Sequence, residues 1–251
     1  MFQKDISNVY GLVGYPLGHS FSKAYFTQKF HQDNINAEYL NFELEDISSL
    51  GEIITKNSNL RGFNVTIPHK QRIIPLLDCL SPAATAIGAV NVVKRKDGKL
   101  VGYNTDVDGF IGAIRPLLGA YEHRHALVLG TGGASKAVAY GLEQMGINVQ
   151  FVSRHNTMRG FTYDNLSPDI IEKHTIIVNA TPLGMYPNVE TYPEIPYAGI
   201  TPRHVCFDLV YNPLETKFMQ LCAARGATTS NGLEMLHIQA EEAWKIWNEE
   251  D

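Results

Sequence analysis

The stretch HALVLGTGGASKAVAYGLEQMG, residues 125–146, constrains this chain more than any other. An apolar strand runs into a glycine loop, and an alanine-rich helix follows and stops at Gly146. A strand that turns through glycines into a helix opens a βαβ unit. The later runs NVQFVSR, TIIVNATP and VCFDLVY supply further apolar strands, separated by segments long enough for crossovers. That spacing predicts parallel strands joined by helices.

The glycine loop has its own chemistry. Gly130 allows a tight turn, and Gly132 lets backbone amides approach a pyrophosphate at the positive end of the helix. Ser135 stands where the third small residue of a dinucleotide fingerprint belongs. A tight turn without a ligand is the alternative, but the strand–loop–helix context favours a dinucleotide. The second strand of the unit is expected to end near Val152, where an NAD enzyme places Asp or Glu against the ribose 2′-hydroxyl. Here the residues are Ser153, Arg154 and His155, with Arg159 nearby. A guanidinium in place of an acid suits a 2′-phosphate, so the expected cofactor is NADP.

Ahead of residue 105 the texture differs. VYGLVG (9–14), AEYLNFEL (37–44) and GFNVTI (62–67) read as strands. A helix opens near Ser20 with Phe21, Tyr25, Phe26 and Phe30 on one face, and another from about Asp46. Period-2 spacing sets Phe63, Val65 and Ile67 on one face of the third strand and Asn64 and Thr66 on the other. Pro68 suits the first turn of a further helix. Asp97-Gly98 marks a hairpin within residues 89–104. The last helix, from about Gly232, carries Leu236, Ala240, Ala243 and Trp247 at helical spacing. Two α/β units meeting near residue 105 are therefore expected, with a cleft as the site.

Polar residues collect in the first unit where a plain core would not select them. GHSFS supplies Ser20 and Ser22, a modest anion site suited to a carboxylate, although one of the two can be an N-cap. Asn64, Thr66 and Lys70 follow in GFNVTIPHK, Asn91 in GAVN, and Asn104, Thr105 and Asp106 in GYNTDVDGF. Taken singly, Lys70 reads as an exposed lysine and Asp106 as a helix cap; the case for function lies in the set. His19 and His69 belong to loop structure or solvent rather than to a metal, since no partner has ligand spacing.

Composition excludes several classes. At 44% hydrophobic and 19% charged, the 251 residues suit an ordinary globular protein, and a net charge of −5 gives no general attraction to nucleic acid. Cys79, Cys206 and Cys222 form neither a disulfide framework nor a zinc motif and read as buried free thiols. MFQKDISNVYGLVG lacks a signal-type apolar region, and no apolar run approaches membrane-spanning length. A cytoplasmic protein with no membrane partner is expected.

The ordered set GYPLGHSFS (14–22), NVTIPHK (64–70), GAVN (88–91), NTDVDG (104–109), GTGGAS (130–135), NATPLGM (179–185), DLVYNPLET (208–216) and NGLEMLHIQA (231–240) resembles the shikimate dehydrogenase family over nearly the whole chain. The resemblance implies an α/β protein of two domains with the active site in the cleft between them. A substrate domain would comprise residues 1–105 plus 233–251, and a Rossmann-like NADP domain residues 106–232. It implies reversible reduction of 3-dehydroshikimate to shikimate with NADPH; a monomer or homodimer is expected. By the same resemblance, Lys70 and Asp106 flank the reacting oxygen, and Ser20 and Ser22 hold the substrate carboxylate. Asn64, Thr66, Asn91 and Gln239 reach ring hydroxyls, and Tyr211 closes the pocket. Gly130, Thr131, Gly132, Gly133, Ala134, Ser135, Ser153, Arg154, Thr181, Leu209, Gly232 and Met235 correspond to cofactor positions, and no metal is implied. Lys23 stands where the family usually has proline, Val92 where it usually has threonine, and Ser153-Arg154-His155 where Asn-Arg-Thr is common. The nearest alternative is a quinate/shikimate dehydrogenase of broader substrate range using NAD or NADP. A non-catalytic binder of the same fold is a third reading, against which the retention of both Lys70 and Asp106 weighs.

Overall fold

The computed structural model describes residues 7–18, 20–155 and 160–249, so His19 and Arg159 lie outside the described residues. The chain divides into two compact units. One runs to Thr105 and resumes at Ala240; the other spans Asp106–Gln239.

The first unit begins with β1 (Asn8–Gly14), α1 (Phe21–Gln32), β2 (Ala37–Glu43), α2 (Leu50–Lys56) and β3 (Leu60–Val65). After these come β4 (Cys79–Leu80), α3 (Pro82–Ile87), β5 (Val92–Lys96) and β6 (Lys99–Tyr103). The strands form a mixed sheet in the order β2-β1-β3-β5-β6-β4, in which β2, β1 and β3 are parallel and β5 runs against β3. Asp97 and Gly98, at φ 49° and 77°, turn the β5–β6 hairpin. Both faces of the sheet are covered. Val9, Val13, Phe63 and Val65 pack with Leu50 and Ala84 on one side. Tyr10, Leu12 and Tyr39 pack with Phe26, Phe30, Ala240, Ala243 and Trp247 on the other.

The second unit contains α4 (Asp106–Ile114), β7 (His125–Leu129), α5 (Gly133–Gln144), β8 (Asn148–Ser153), β9 (Gly160–Thr162) and α6 (Pro168–Lys173). It continues through β10 (Ile176–Asn179), β11 (Val205–Asp208), α7 (Lys217–Ala223) and β12 (Thr228–Ser230) into α8 (Leu233–Asn248). All six strands are parallel, in the order β12-β11-β10-β7-β8-β9. Numbered within the unit, that is the 3-2-1-4-5-6 order of dinucleotide-binding sheets, read from the other edge. Alternate residues of the apolar strands feed two cores, Ala126, Val128, Ile176 and Val178 on one face and Leu127, Leu129, Ile177 and Cys206 on the other. Parallel strands buried on both faces explain the unbroken apolar runs.

Four local expectations differ from the structure. Ile67 is 74% exposed rather than aligned with Phe63 and Val65. The ladder's last bond runs from Thr66 N–H to the Val13 carbonyl at 2.9 Å, and the Ile67 carbonyl then accepts from Tyr15 N–H at 3.0 Å, beyond the paired strands. No α-helix follows Pro68; turns lead to a 3-10 segment at Ile74–Leu76. The Lys70 carbonyl that a helix would need accepts from Val90 N–H at 2.7 Å, which diverts the chain. Cys79 is exposed, because it lies on the two-residue edge strand β4. The helix expected from Asp46 opens as a 3-10 turn capped by that residue and becomes α-helical only at Leu50. Among the described residues, no helix is long and apolar enough to cross a membrane.

Candidate active site

Each sheet has a point where the strand order reverses, and in open α/β sheets ligands bind outside the carboxyl ends of the strands at such points. In the first unit it lies between β1 and β3. The segments leaving these strands are joined by backbone bonds, Thr66 N–H to Val13 and Tyr15 N–H to the Ile67 carbonyl at 3.0 Å. They carry Ser20 and Ser22 on one side and Thr66 and Lys70 on the other. Ser20 is the N-cap of α1, its hydroxyl accepting from Lys23 N–H at 3.2 Å. That bond uses an acceptor site and leaves the hydroxyl proton for another partner.

A polar chain, buried from Tyr39 onward, runs from α1 into the sheet. Ser22 is hydrogen-bonded to the phenol of Tyr39, which donates to Asn64 Oδ1 at 2.7 Å. Asn64 Nδ2 donates to the Asn91 carbonyl at 3.3 Å. Asn91 closes a two-way link with Thr105: its Nδ2 donates to Thr105 Oγ1 at 3.0 Å, and its Oδ1 accepts from Thr105 N–H at 2.7 Å. Asn104, also buried, donates from Nδ2 to the Ala89 carbonyl at 2.9 Å. Burial pushes the Tyr39 phenol well above its ordinary value, so it stays a neutral donor. The structure thus brings together Ser22, Asn64, Asn91 and Thr105. Tyr39, which joins two of them, had no motif to mark it, and it is the one fully buried position of the mixed-polarity strand β2.

Lys70 is half-buried, with its backbone held by Val90. The preceding residue, His69, is fully buried, and its Nε2–H donates to the Leu44 carbonyl at 2.6 Å, tying the loop to the end of β2. This is the loop-structure role expected of it. Asp106 is the first residue of α4 and is buried. A carboxylate in a first helical turn faces the positive end of the helix dipole.

In the second unit the order reverses between β7 and β10. Gly130 leaves β7 at φ 106°, a left-handed conformation that favours glycine. A Cβ there would stand 3.1 Å from the Ala180 carbonyl oxygen and 3.2 Å from Thr181 Cγ2, so the glycine loop lies against the turn after β10. Gly132 is the N-cap of the 12-residue α5 and has open space where a Cβ would be. Ser135 is fully buried under that helix, which is the packing role of the third small residue. Gly132, Gly133 and Ala134 present amides at the helix start with no side-chain cap in front of them. Ser153 ends β8 with its hydroxyl bonded to the His155 carbonyl, and Arg154 follows, exposed.

The remaining cofactor candidates gather at the carboxyl ends of β10, β11 and β12. Thr181 donates to Asn179 Oδ1 at 2.6 Å, and Leu209 N–H donates to the Asn179 carbonyl at 2.9 Å. Gly232 sits so close to the Leu209 carbonyl that a side chain would clash. Met235 points into the core with Val178 and Phe207. Tyr211 is half-buried, and burial raises its phenol; Gln239 is buried and donates to the Leu236 carbonyl at 3.1 Å. Asn179, Asp208 and Thr216 form a fully buried polar cluster among them that the sequence reading did not single out. Its signal was an amide and a carboxylate at the ends of strands that are otherwise apolar.

Residues 12–93 match the family model described as the shikimate dehydrogenase substrate binding domain. A shikimate dehydrogenase (NADP(+)) of Desulforamulus reducens is 37% identical over 270 residues, covering 96% of this chain and 90% of that protein. One from Methanococcus maripaludis is 38% identical over 257 residues, covering 94% and 90%. A crystal structure of shikimate 5-dehydrogenase from Thermus thermophilus in complex with NADP(H) and shikimate superposes with a TM-score of 0.84 at 30% identity, covering 96% of this chain and 93% of that one.

Proposed function

The chain belongs to the shikimate dehydrogenase family, and from that premise we propose that it catalyses the reversible NADPH-dependent reduction of 3-dehydroshikimate to shikimate, a step of aromatic amino acid biosynthesis that leads to chorismate. The observation that carries this reading is the chain Ser22–Tyr39–Asn64–Asn91–Thr105, buried from Tyr39 onward, in the first unit. So many amides and hydroxyls ordered below one crevice suit a ligand that is itself an array of hydroxyls. A fixed amide discriminates strongly against a ligand lacking its partner, because a buried polar group is then left unpaired.

The second unit fits NADP. Gly130 and Gly132 keep side chains away from the start of α5, whose free amides suit a pyrophosphate, and exposed Arg154 stands where an NAD enzyme carries an acid. When bound, NADPH supplies the hydride. The protein's own groups then manage charge. As the ketone oxygen becomes an alkoxide, the Lys70 ammonium stabilises it and donates a proton to it. Asp106 orients that ammonium and accepts from a substrate hydroxyl. Ser20 and Ser22 hold the carboxylate, Asn64, Thr66, Asn91 and Gln239 read the ring hydroxyls, and Tyr211 closes over the substrate. Every one of these roles is filled from a single chain, so a monomer or a homodimer suffices. The free cysteines suit a reducing compartment, which supports the cytoplasm as the working location.

Absorbance at the NADPH wavelength, with shikimate or quinate as substrate and NADP or NAD as oxidant, tests the reading. Turnover confined to shikimate with NADP is expected. Comparable rates with quinate, or with NAD, would establish the broader quinate/shikimate enzyme instead, and no turnover with any pair would reject dehydrogenase activity.

A further inference from the structure

We infer that Asp208 is a positioning residue for the cofactor, its carboxylate binding together the segments after β10 and β11 that carry Thr181, Leu209 and Tyr211. The inference rests on the cofactor reading above.

Asp208 is the last residue of β11 and is fully buried. Its Oδ1 accepts from Asn179 Nδ2 at 2.9 Å and from Val210 N–H at 3.0 Å, and its Oδ2 accepts from the Thr216 hydroxyl at 2.6 Å. The three donors come from three places: the end of β10, the segment leaving β11 and the N-cap of α7. Asn179 extends the hold, since its Oδ1 accepts from both the N–H and the hydroxyl of Thr181, at 3.1 and 2.6 Å. Its Nδ2 also reaches the Leu183 carbonyl at 3.2 Å. On the other side, the Val210 carbonyl accepts from Gly232 N–H at 3.2 Å, which brings in the turn before α8. The Thr181 turn lies against Gly130, so this cluster sets the wall facing the glycine loop.

A carboxylate is a costly choice for such a position. Burial pushes the Asp208 carboxyl up to about 6, even though three hydrogen bonds pull it down. An apolar side chain would avoid that cost but could not hold three donors from three segments at once. Asparagine keeps most of this hold: its oxygen would take the place of Oδ1 and its amide would donate to Thr216 Oγ1, which also accepts from Met219 N–H, so only the Thr216 hydroxyl proton loses its acceptor.

That difference defines the experiment. NADPH affinity is measured by fluorescence titration without shikimate, on the full chain, with circular dichroism as a check on folding. Asp208→Ala should weaken NADPH by tenfold or more, whereas Asp208→Asn should stay within about threefold of wild type. Thr216→Val removes the Asp208 arm together with the α7 cap on Met219 N–H and should weaken NADPH by a few-fold; it carries the test if Asp208→Ala does not fold. Wild-type affinity in Asp208→Ala, or in Thr216→Val where that variant stands in, overturns the inference. So does a loss in Asp208→Asn equal to that in Asp208→Ala, which would assign the effect to charge rather than to position. Wild-type protein that binds no NADPH overturns the cofactor reading itself, and the inference with it.

Discussion

Lys70 sits in a loop whose backbone is held by other groups. The backbone around it is fixed by Val90 and by the His69 ring on Leu44, so truncating the side chain leaves the loop supported. Lys70→Ala should lower kcat by about 10²–10⁴-fold with little change in KM. A loss confined to KM, seen in steady-state kinetics, would mean that the lysine binds the ground state and would sink its assignment as proton donor. At Asp208 the folded value of about 6 lies above the ordinary aspartate value of 3.8, so the fold favours the protonated form. The group's contribution to stability is fully present below 3.8 and is lost as pH rises through about 6, where the buried site must carry a charge. The difference corresponds to about 3 kcal/mol at neutral pH. Asp208→Asn is expected to melt higher than wild type at pH 7, with the gap closing as pH falls toward 4. Melting curves at several pH values check this, and a gap independent of pH would contradict it.

Among the elements, the segments between strands and helices carry both the chemistry and the departures from pattern. Alternation placed Phe63, Val65 and Asn64 correctly, because β3 is a true strand with two buried faces. It failed at Ile67, and the helix expected after Pro68 did not form, where long-range bonds from Tyr15 and Val90 decide the path. Such bonds leave no periodic trace, and neither does the link from Tyr39 to Asn64 or the hold of Asp208 on Asn179. Local turn chemistry was legible: Asp97-Gly98 and Gly130 adopt the positive φ that their residue types allow. Gly130→Ala tests how much the glycine loop depends on that freedom. Its φ of 106° and the 3.1 Å approach of the Ala180 carbonyl oppose a Cβ together. The variant should lose about 1–3 kcal/mol of stability and bind NADPH more weakly, as read by thermal melts and fluorescence titration. Unchanged affinity would show that the loop shape is not set by this residue.

For the whole molecule, α8 is the element whose helical spacing does not say which unit it joins, and the structure divides it. Met235 and Ile238 pack in the core of the second unit, whereas Ala240, Ala243 and Trp247 pack in that of the first. One 16-residue helix thus serves two hydrophobic cores in turn, and its spacing alone could not reveal this because both halves are apolar at the same period. Trp247 is the heaviest contributor on the first side. Its ring lies 4.9 Å from Tyr10 and 5.3 Å from Phe26, centroid to centroid, and its Nε1–H donates to the Val93 carbonyl at 3.0 Å. Gly62 is bare so that this ring can lie against β3; a Cβ would also stand 2.6 Å from that same carbonyl. Removing the ring leaves a cavity and an unmatched carbonyl, so Trp247→Ala should cost about 3–5 kcal/mol. Because the contacts lie within the first unit's core, the loss should be local. Hydrogen exchange is expected to accelerate in β1, β3 and β5 while amides of β7, β10 and β11 keep their protection. Equal acceleration in both sheets would show instead that the two cores unfold as one cooperative unit, with the covalent path through α8 coupling them.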